Sequence, residues 1–190
     1  MTAVAAVATR SAERRGQILD AAERVVRRDG TAASMSAIAR EAGITKPVVY
    51  RHFGDRDGLY QALAERQTQA LLDAIRAALR SKADDRRGRA AAAIDAYLRV
   101  IEREPQLYRF LLWSPAAART VTAFRSRLAA ELAAGMRAET GLRPDVAAAW
   151  AVGIVGMVQS AGDWWLEERL FSRRRLVARL TDLLWGSYGA

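Results

Sequence analysis

Apolar residues recur along this chain at helical spacing. Ile18, Ala22, Val25 and Val26 make the inner stripe of a helix over about 11–29, opened by Ser11 and closed by Gly30. The pattern then shortens to two brief helices joined by a glycine turn within 34–53. A longer helix over about 56–80 follows, its face carrying Leu59, Leu63, Ala70, Leu71, Ala74, Ile75, Ala78 and Leu79. The polar segment 81–88 reads as a loop. Ile94, Tyr97, Leu98 and Ile101 mark a helix over 89–103, and Pro105 opens a short one with Leu107, Tyr108, Phe110 and Leu111. Trp113-Ser114-Pro115 breaks it. Val121, Phe124, Leu128, Leu132 and Met136 then face inward over 116–139, and Gly141 and Pro144 punctuate the passage to the next helix. Ser172 caps a last helix over 173–185, whose wide stripe is Leu176, Val177, Leu180, Leu183 and Leu184. The whole predicts an all-α chain of about nine helices.

The uncharged run 146–162 is shorter than the roughly 20 strongly apolar residues of a membrane span, and Asp145 and Asp163 bound it. An all-round apolar helix in a small protein is better read as buried twice, by its own core and by a partner. Gly153 and Gly156 would let such helices approach closely.

Residues 34–59 carry the most chemistry. Ser34 or Ser36 can cap the first short helix, and Ile38 and Ala42, four apart, share its inner face. Gly43 stands where a left-handed residue must end it, and Ile44 would plug the core between the two helices. Thr45 can cap the second, and Pro47 suits a first turn although it disfavours helical geometry at Lys46. Helices this short bury little; such a unit presents a surface, and a helix-turn-helix presents its second helix to the major groove of DNA. Lys46, Arg51, Arg56 and the Tyr50 hydroxyl suit phosphate oxygens. Tyr50 is read as a DNA contact and Phe53 as a core aromatic packed against the first helix. His52, the sole histidine, is either a phosphate neighbour or a half-buried structural residue.

This stretch resembles the DNA-binding module of TetR-family transcriptional repressors. The matching positions are Ser34, Ile38-Ala39, Ala42-Gly43-Ile44-Thr45, Tyr50, His52-Phe53, Arg56 and Leu59. Pro47 and Val48 depart from the family's small or polar residues, which leaves base reading to apolar contacts such as thymine methyls. The resemblance implies a DNA-facing set of Ser34, Ser36, Thr45, Lys46, Pro47, Val48, Tyr50, Arg51, His52 and Arg56. It also implies three segments: an arm over 1–10, expected to be disordered; a helix-turn-helix domain over 11–56; and an effector-binding and dimerisation domain over 57–190. The helix over 56–80 would connect the last two.

Composition modifies this picture only at the edges. The 190 residues carry 30 Lys+Arg against 21 Asp+Glu, a net charge of +9, which favours a polyanionic partner. Ten basic and seven acidic residues fall in 1–60, so the excess is spread and local placement carries the argument. The absence of cysteine excludes disulfides and thiolate ligands and suits a reducing cytoplasm. Residues 1–10 lack the basic start of a signal peptide; as a flexible arm they would offer Arg10, with Arg14 and Arg15 behind it, to DNA. Arg173-Arg174-Arg175 reads as a solvated helix face.

All five tryptophans lie beyond residue 80. The effector pocket is expected from Tyr97, Tyr108, Phe110, Trp113, Phe124, Trp150 and Met157, with Gln159 or Asp163 as polar anchors, the competing reading being that these residues fill the core or a dimer seam. In the resembled family the last two helices pair with their copies, which here would place Val152, Gly153, Gly156, Trp164, Leu176, Leu180, Leu183 and Leu184 in a homodimer interface. The reading is then a cytoplasmic repressor that holds a palindromic DNA operator as a homodimer and is released by a small hydrophobic or aromatic molecule, with no cofactor and no metal. An activator of the same fold, or a helical scaffold that only dimerises, is the alternative. An enzyme is disfavoured, because no nucleophile–base set, metal cluster or phosphate loop stands out.

Overall fold

The computed structural model describes residues 2–81 and 85–186. Within them the chain forms α1 (Thr2–Asp29), a 3-10 turn (Gly30–Ala32), α2 (Met35–Glu41), α3 (Lys46–Phe53), α4 (Arg56–Arg80), α5 (Arg86–Arg103), α6 (Pro105–Trp113), α7 (Pro115–Thr140), α8 (Pro144–Glu168) and α9 (Arg173–Gly186). The expected arm is instead the start of α1, which is helical from Thr2; a run of alanine and valine without glycine or proline gives the helix no reason to stop there. In the loop expected over 81–88, Lys82, Ala83 and Asp84 lie outside the described residues, and α5 already begins at Arg86.

The chain divides into two compact units. One comprises Met1–Gln67 and Glu104–Val121, the other Thr68–Arg103 and Thr122–Ala190. The sequence reading assigned everything after 56 to the effector half. The first unit takes back α6 and the start of α7 because the inner face of α6 is apolar. Leu107, Phe110 and Leu111 join Ile18, Val25, Ile38, Val49, Leu59 and Leu63 in one buried cluster. Tyr60 anchors it twice. Its hydroxyl donates to the Ala33 carbonyl at 2.8 Å, and its ring meets Phe110 edge-on with centroids 4.8 Å apart. Ion pairs tie the same helices at the rim, with Arg66 bridging Asp20 and Glu23, and Arg27 reaching Glu104 at 2.7 Å.

In the second unit α9 lies against α5. Arg173 pairs with Asp95 and Glu102, and Leu176 and Leu180, which share its helical face, are buried. Arg173 of the arginine run is therefore a structural cation, while Arg174 and Arg175 are exposed. Gly162 of α8 is packed closely, with Ile101, Tyr97 and Leu98 of α5 all within 3.2 Å of where a Cβ would stand. Gly153 and Gly156, expected to serve a close approach, face open space. By length and composition α8 could cross a membrane, although core helices of soluble proteins pass the same test.

Candidate nucleic-acid interface

The first unit holds a helix-turn-helix. Ser34 caps α2, its Oγ accepting from the Ala37 amide at 3.2 Å, so its oxygen is committed locally; Ser36 lies exposed on the helix. Gly43 adopts φ +65°, which lets the Ile44 amide return to the Ala39 carbonyl and turns the chain into α3. Ile44 packs on the apolar cluster as expected. Thr45 occupies the N-cap position with extended backbone, but its side chain makes no capping bond.

Helix α3 is held by one face only. Val49 and Phe53 are buried, while Lys46, Pro47, Tyr50 and Arg51 are exposed, with Tyr50 at 41 %. Val48 and His52 are half-buried on the flank. Successive residues turn by about 100°, so Arg51 lies opposite the buried face, Lys46 and Tyr50 on one side of it and His52 on the other. Arg15 pins the C-terminal end: its guanidinium stacks over the Phe53 ring at 4.2 Å and donates to the His52 carbonyl at 2.8 Å. That use removes Arg15 from the cations a flexible arm would have offered. Arg24 and Arg28 hold Glu41, joining α1 to the end of α2; the hydrogen bond from Arg24 keeps the Glu41 carboxyl below its ordinary range. Arg56, expected on phosphate, is exposed but leans on Asp57 at 3.4 Å and over the Tyr60 ring at 5.8 Å.

A surface of this kind, a short helix anchored on two apolar residues with basic and tyrosyl groups outward, is suited to lie in a groove of DNA. The family model described as bacterial regulatory proteins, tetR family, matches residues 18–63, and one described as tetracyclin repressor-like, C-terminal domain, matches 74–190. The chain belongs to the TetR family. It is a helix-turn-helix transcriptional regulator. The HTH-type transcriptional activator FasR of Mycolicibacterium smegmatis is 34% identical over 181 residues, which span 92% of this chain and 82% of that protein. An HTH-type transcriptional regulator of Mycobacterium tuberculosis is 32% identical over 180 residues, covering 92% and 77%. Two solved structures share the TetR fold: a TetR-like regulator from Rhodococcus sp. RHA1, with TM-score 0.71 and 24% identity over 93% of this chain and 97% of that one, and the fatty acid degradation regulator FadR from Bacillus halodurans, with TM-score 0.71 and 20% identity over 90% and 97%.

The residues expected to line an effector pocket are divided between the units of this TetR protein. Phe110 is core, Tyr108 is half-buried and Trp113 is 72 % exposed, all on α6 in the first unit. Tyr97 is buried against α8, Phe124, Met157, Gln159 and Asp163 are half-buried, and Trp150 lies at the surface of α8, all in the second. The residues expected at a dimer seam also separate. Val152, Gly153, Gly156 and Trp164 on α8 and Leu183 on α9 are exposed, and Leu184 is half-buried. Leu176 and Leu180 are corrected by the structure: they face α5 of their own unit and present nothing to a partner. Among the described residues no group of His, Cys, Asp and Glu could hold a metal ion.

Sequence reasoning missed the structural use of Arg15. The signal was present, since Arg15 and the buried Ile18 are three apart and share a helix side; its aromatic partner lies 38 positions away and only the fold reveals it.

Proposed function

We propose that this regulator binds a near-palindromic operator as a homodimer and represses transcription until a small, largely apolar molecule releases it. The observation that carries the reading is α3 itself, whose Lys46, Pro47, Tyr50 and Arg51 surface is exposed above buried Val49 and Phe53. Two such helices about 34 Å apart would enter successive major grooves, with phosphate contacts supplying much of the affinity. Support for the dimer comes from α8. Val152 is 63 % exposed, and Ala149, Gly153, Gly156, Ser160 and Trp164 continue the same uncharged stripe. An exposed stripe of this length on one helix marks an interface, and a second copy supplies the matching surface by two-fold symmetry. A DNA target implies a cytoplasmic location.

The candidate effector residues of the second unit are Tyr97, Phe124, Met157, Gln159 and Asp163. Helix α4 contributes to both units and is the natural connector. A ligand there can release DNA only through its differential affinity for the two states. Equal ligand affinity for free and operator-bound protein would overturn this mechanism. The name of the M. smegmatis relative favours a second reading, activation. The same contacts serve either, because the sign depends on where the operator lies relative to a promoter.

The test is selection of bound duplexes from a random pool at near-physiological salt. An enriched palindrome with half-sites about one turn apart is expected, and Tyr50→Ala should abolish the enrichment. A folded dimer that enriches nothing would reject the reading once mass spectrometry shows that no copurified ligand holds it in the released state. Transcription from a promoter carrying the palindrome then separates repression from activation.

A further inference from the structure

Among the described residues one buried side-chain polar atom has no hydrogen-bond partner: Nε of Arg125, on α7 in the second unit. Buried donors are almost always paired, so an orphan calls for an acceptor. A guanidinium also stays charged whatever surrounds it, and burying one unpaired is costly. Its neighbours along α7 supply no counter-charge. Within one turn stand Val121, Thr122, Leu128 and Ala129, and no carboxylate. The acidic groups further along α7 are committed elsewhere, Glu131 to Arg76 and Arg127, and Glu139 to Arg86 and Arg89. We propose that Arg125 anchors the effector of the second unit, and that this effector carries a carboxylate on an apolar body. The proposal rests on the ligand-release reading above and gives that ligand a charge.

The placement of Arg125 supports it. The short connection 141–143 makes α7 and α8 antiparallel neighbours. Ala129 and Ala133 of α7 form one buried cluster with Ala147 and Ala151 of α8, and Val155 packs against it. Arg125 precedes Ala129 by one turn on the same side of α7. The antiparallel register therefore carries it toward Val155, Val158 and Gln159. Residues 146–162 of α8 carry no charge, so the seam that Arg125 continues is apolar apart from the Gln159 amide. The alanines of this seam are buried, whereas Phe124, Leu128, Val155 and Val158, further from the connection, are half-buried. The helices leave apolar surface uncovered there, which suits the body of a ligand held by a single polar anchor. One guanidinium without a second cation matches a singly charged, planar head. Its fork takes both oxygens of a carboxylate, whereas a phosphate would bring charge that nothing on this seam balances. Folding has already stripped water from Nε, so on that side binding meets no further desolvation.

The test uses the full-length protein and a series of unbranched carboxylates from butyrate to dodecanoate, with 4-phenylbutyrate, each beside its neutral primary amide. Followed by tryptophan fluorescence, the best acid should bind roughly 10- to 100-fold more tightly than its amide, the worth of a charge-assisted pair. In Arg125→Met this ratio should fall to about one, and Arg125→Lys, which keeps the charge and loses the fork, should lie between. Without ligand, Arg125→Met should unfold at a higher temperature than the wild type, because it removes a buried unpaired donor; misfolding cannot mimic that gain. The proposal is overturned if no acid is preferred over its amide, or if the preference survives in Arg125→Met. A lower midpoint in that variant also overturns it, since the guanidinium would then be satisfied within the protein. Operator affinity is measured with the same pairs. Release by amides as readily as by acids would uphold ligand-driven release and overturn the anionic anchor. Arg125-dependent binding of an acid that leaves operator affinity unchanged would uphold the anion site and reject ligand-driven release.

Discussion

Gly58 offers a sharp test, because two physical effects predict opposite signs. It lies in the first turn of α4, where replacing glycine by alanine should stabilise a helix by about 1 kcal/mol on intrinsic propensity. A Cβ at this position, however, would stand 2.1 Å from the Phe53 carbonyl oxygen, 3.3 Å from its carbon and 3.4 Å from Asp55 Oδ1. Contacts below 3.0 Å are essentially never seen for a real Cβ, and the obstacle is backbone, so no rotamer change relieves it. The start of α4 must move away from the end of α3. That movement strains the Asp55 cap, whose Oδ1 accepts from the Gly58 amide at 2.7 Å. Overpacking costs about 1–3 kcal/mol and a lost cap about 1 kcal/mol. Against the propensity gain, Gly58→Ala should destabilise the first unit by roughly 1–3 kcal/mol. Thermal unfolding followed by far-ultraviolet circular dichroism should show a lower midpoint. Operator affinity should fall with it, because Phe53 anchors α3. A raised midpoint would refute the steric argument and show that the α3–α4 junction yields freely.

Tyr60→Phe removes the donor to the Ala33 carbonyl and keeps the ring packing, so it should cost about 1–2 kcal/mol in urea unfolding; no change would mean that water replaces the bond. Val152→Glu places a charge on the exposed stripe of α8 and should convert a dimer to monomers in sedimentation while leaving the helical content intact; a persistent dimer would put the interface elsewhere. Burial pushes the Asp95 carboxyl up, but hydrogen bonds from Arg173 and Arg99 more than offset this and hold it below its ordinary 3.8. The hydrogen bond from Arg76 chiefly holds Glu131 below 4.5. Their stabilisation is therefore complete above those ordinary values and is lost as pH falls through the lower folded ones. Urea midpoints should decline across that acid range, and Arg173→Met should flatten part of the decline; a decline unchanged in Arg173→Met would refute the role given to its pair with Asp95.

The fold was legible because its signals are local. The 18, 22, 25, 26 stripe of α1, the punctuation at Gly30, Gly43 and Pro105, and the even apolar face of α4 each depend on a few neighbouring residues, and α4 runs from Arg56 to Arg80 as its periodicity predicts. What spacing could not supply was the partner of each face. Leu176 and Leu183 lie on one stripe in the sequence, yet the first is buried against α5 and the second is 56 % exposed. Phe110 and Trp113 are three apart on α6, and one is core while the other is largely exposed. A stripe wider than a single neighbour can cover must be shared, and how it is shared depends on tertiary packing between distant segments. The same holds for the candidate pocket, whose aromatic residues read as one set in sequence and fall into two units in the structure.

Net charge was a weak guide to the DNA surface for a related reason. Many of the arginines in this chain hold acidic groups of neighbouring helices. Arg24 and Arg28 hold Glu41, Arg27 holds Glu23 and Glu104, Arg66 holds Asp20 and Glu23, and Arg15 is committed to His52 and Phe53. Such pairs are charge-neutral at long range and contribute little to the release of counterions from DNA. The field above α3 owes more to the cations at the surface of that helix, Lys46 and Arg51, both exposed. Part of a basic excess that is spread almost evenly along the chain is thus tied up in internal pairs, which is why the total says so little about any one surface.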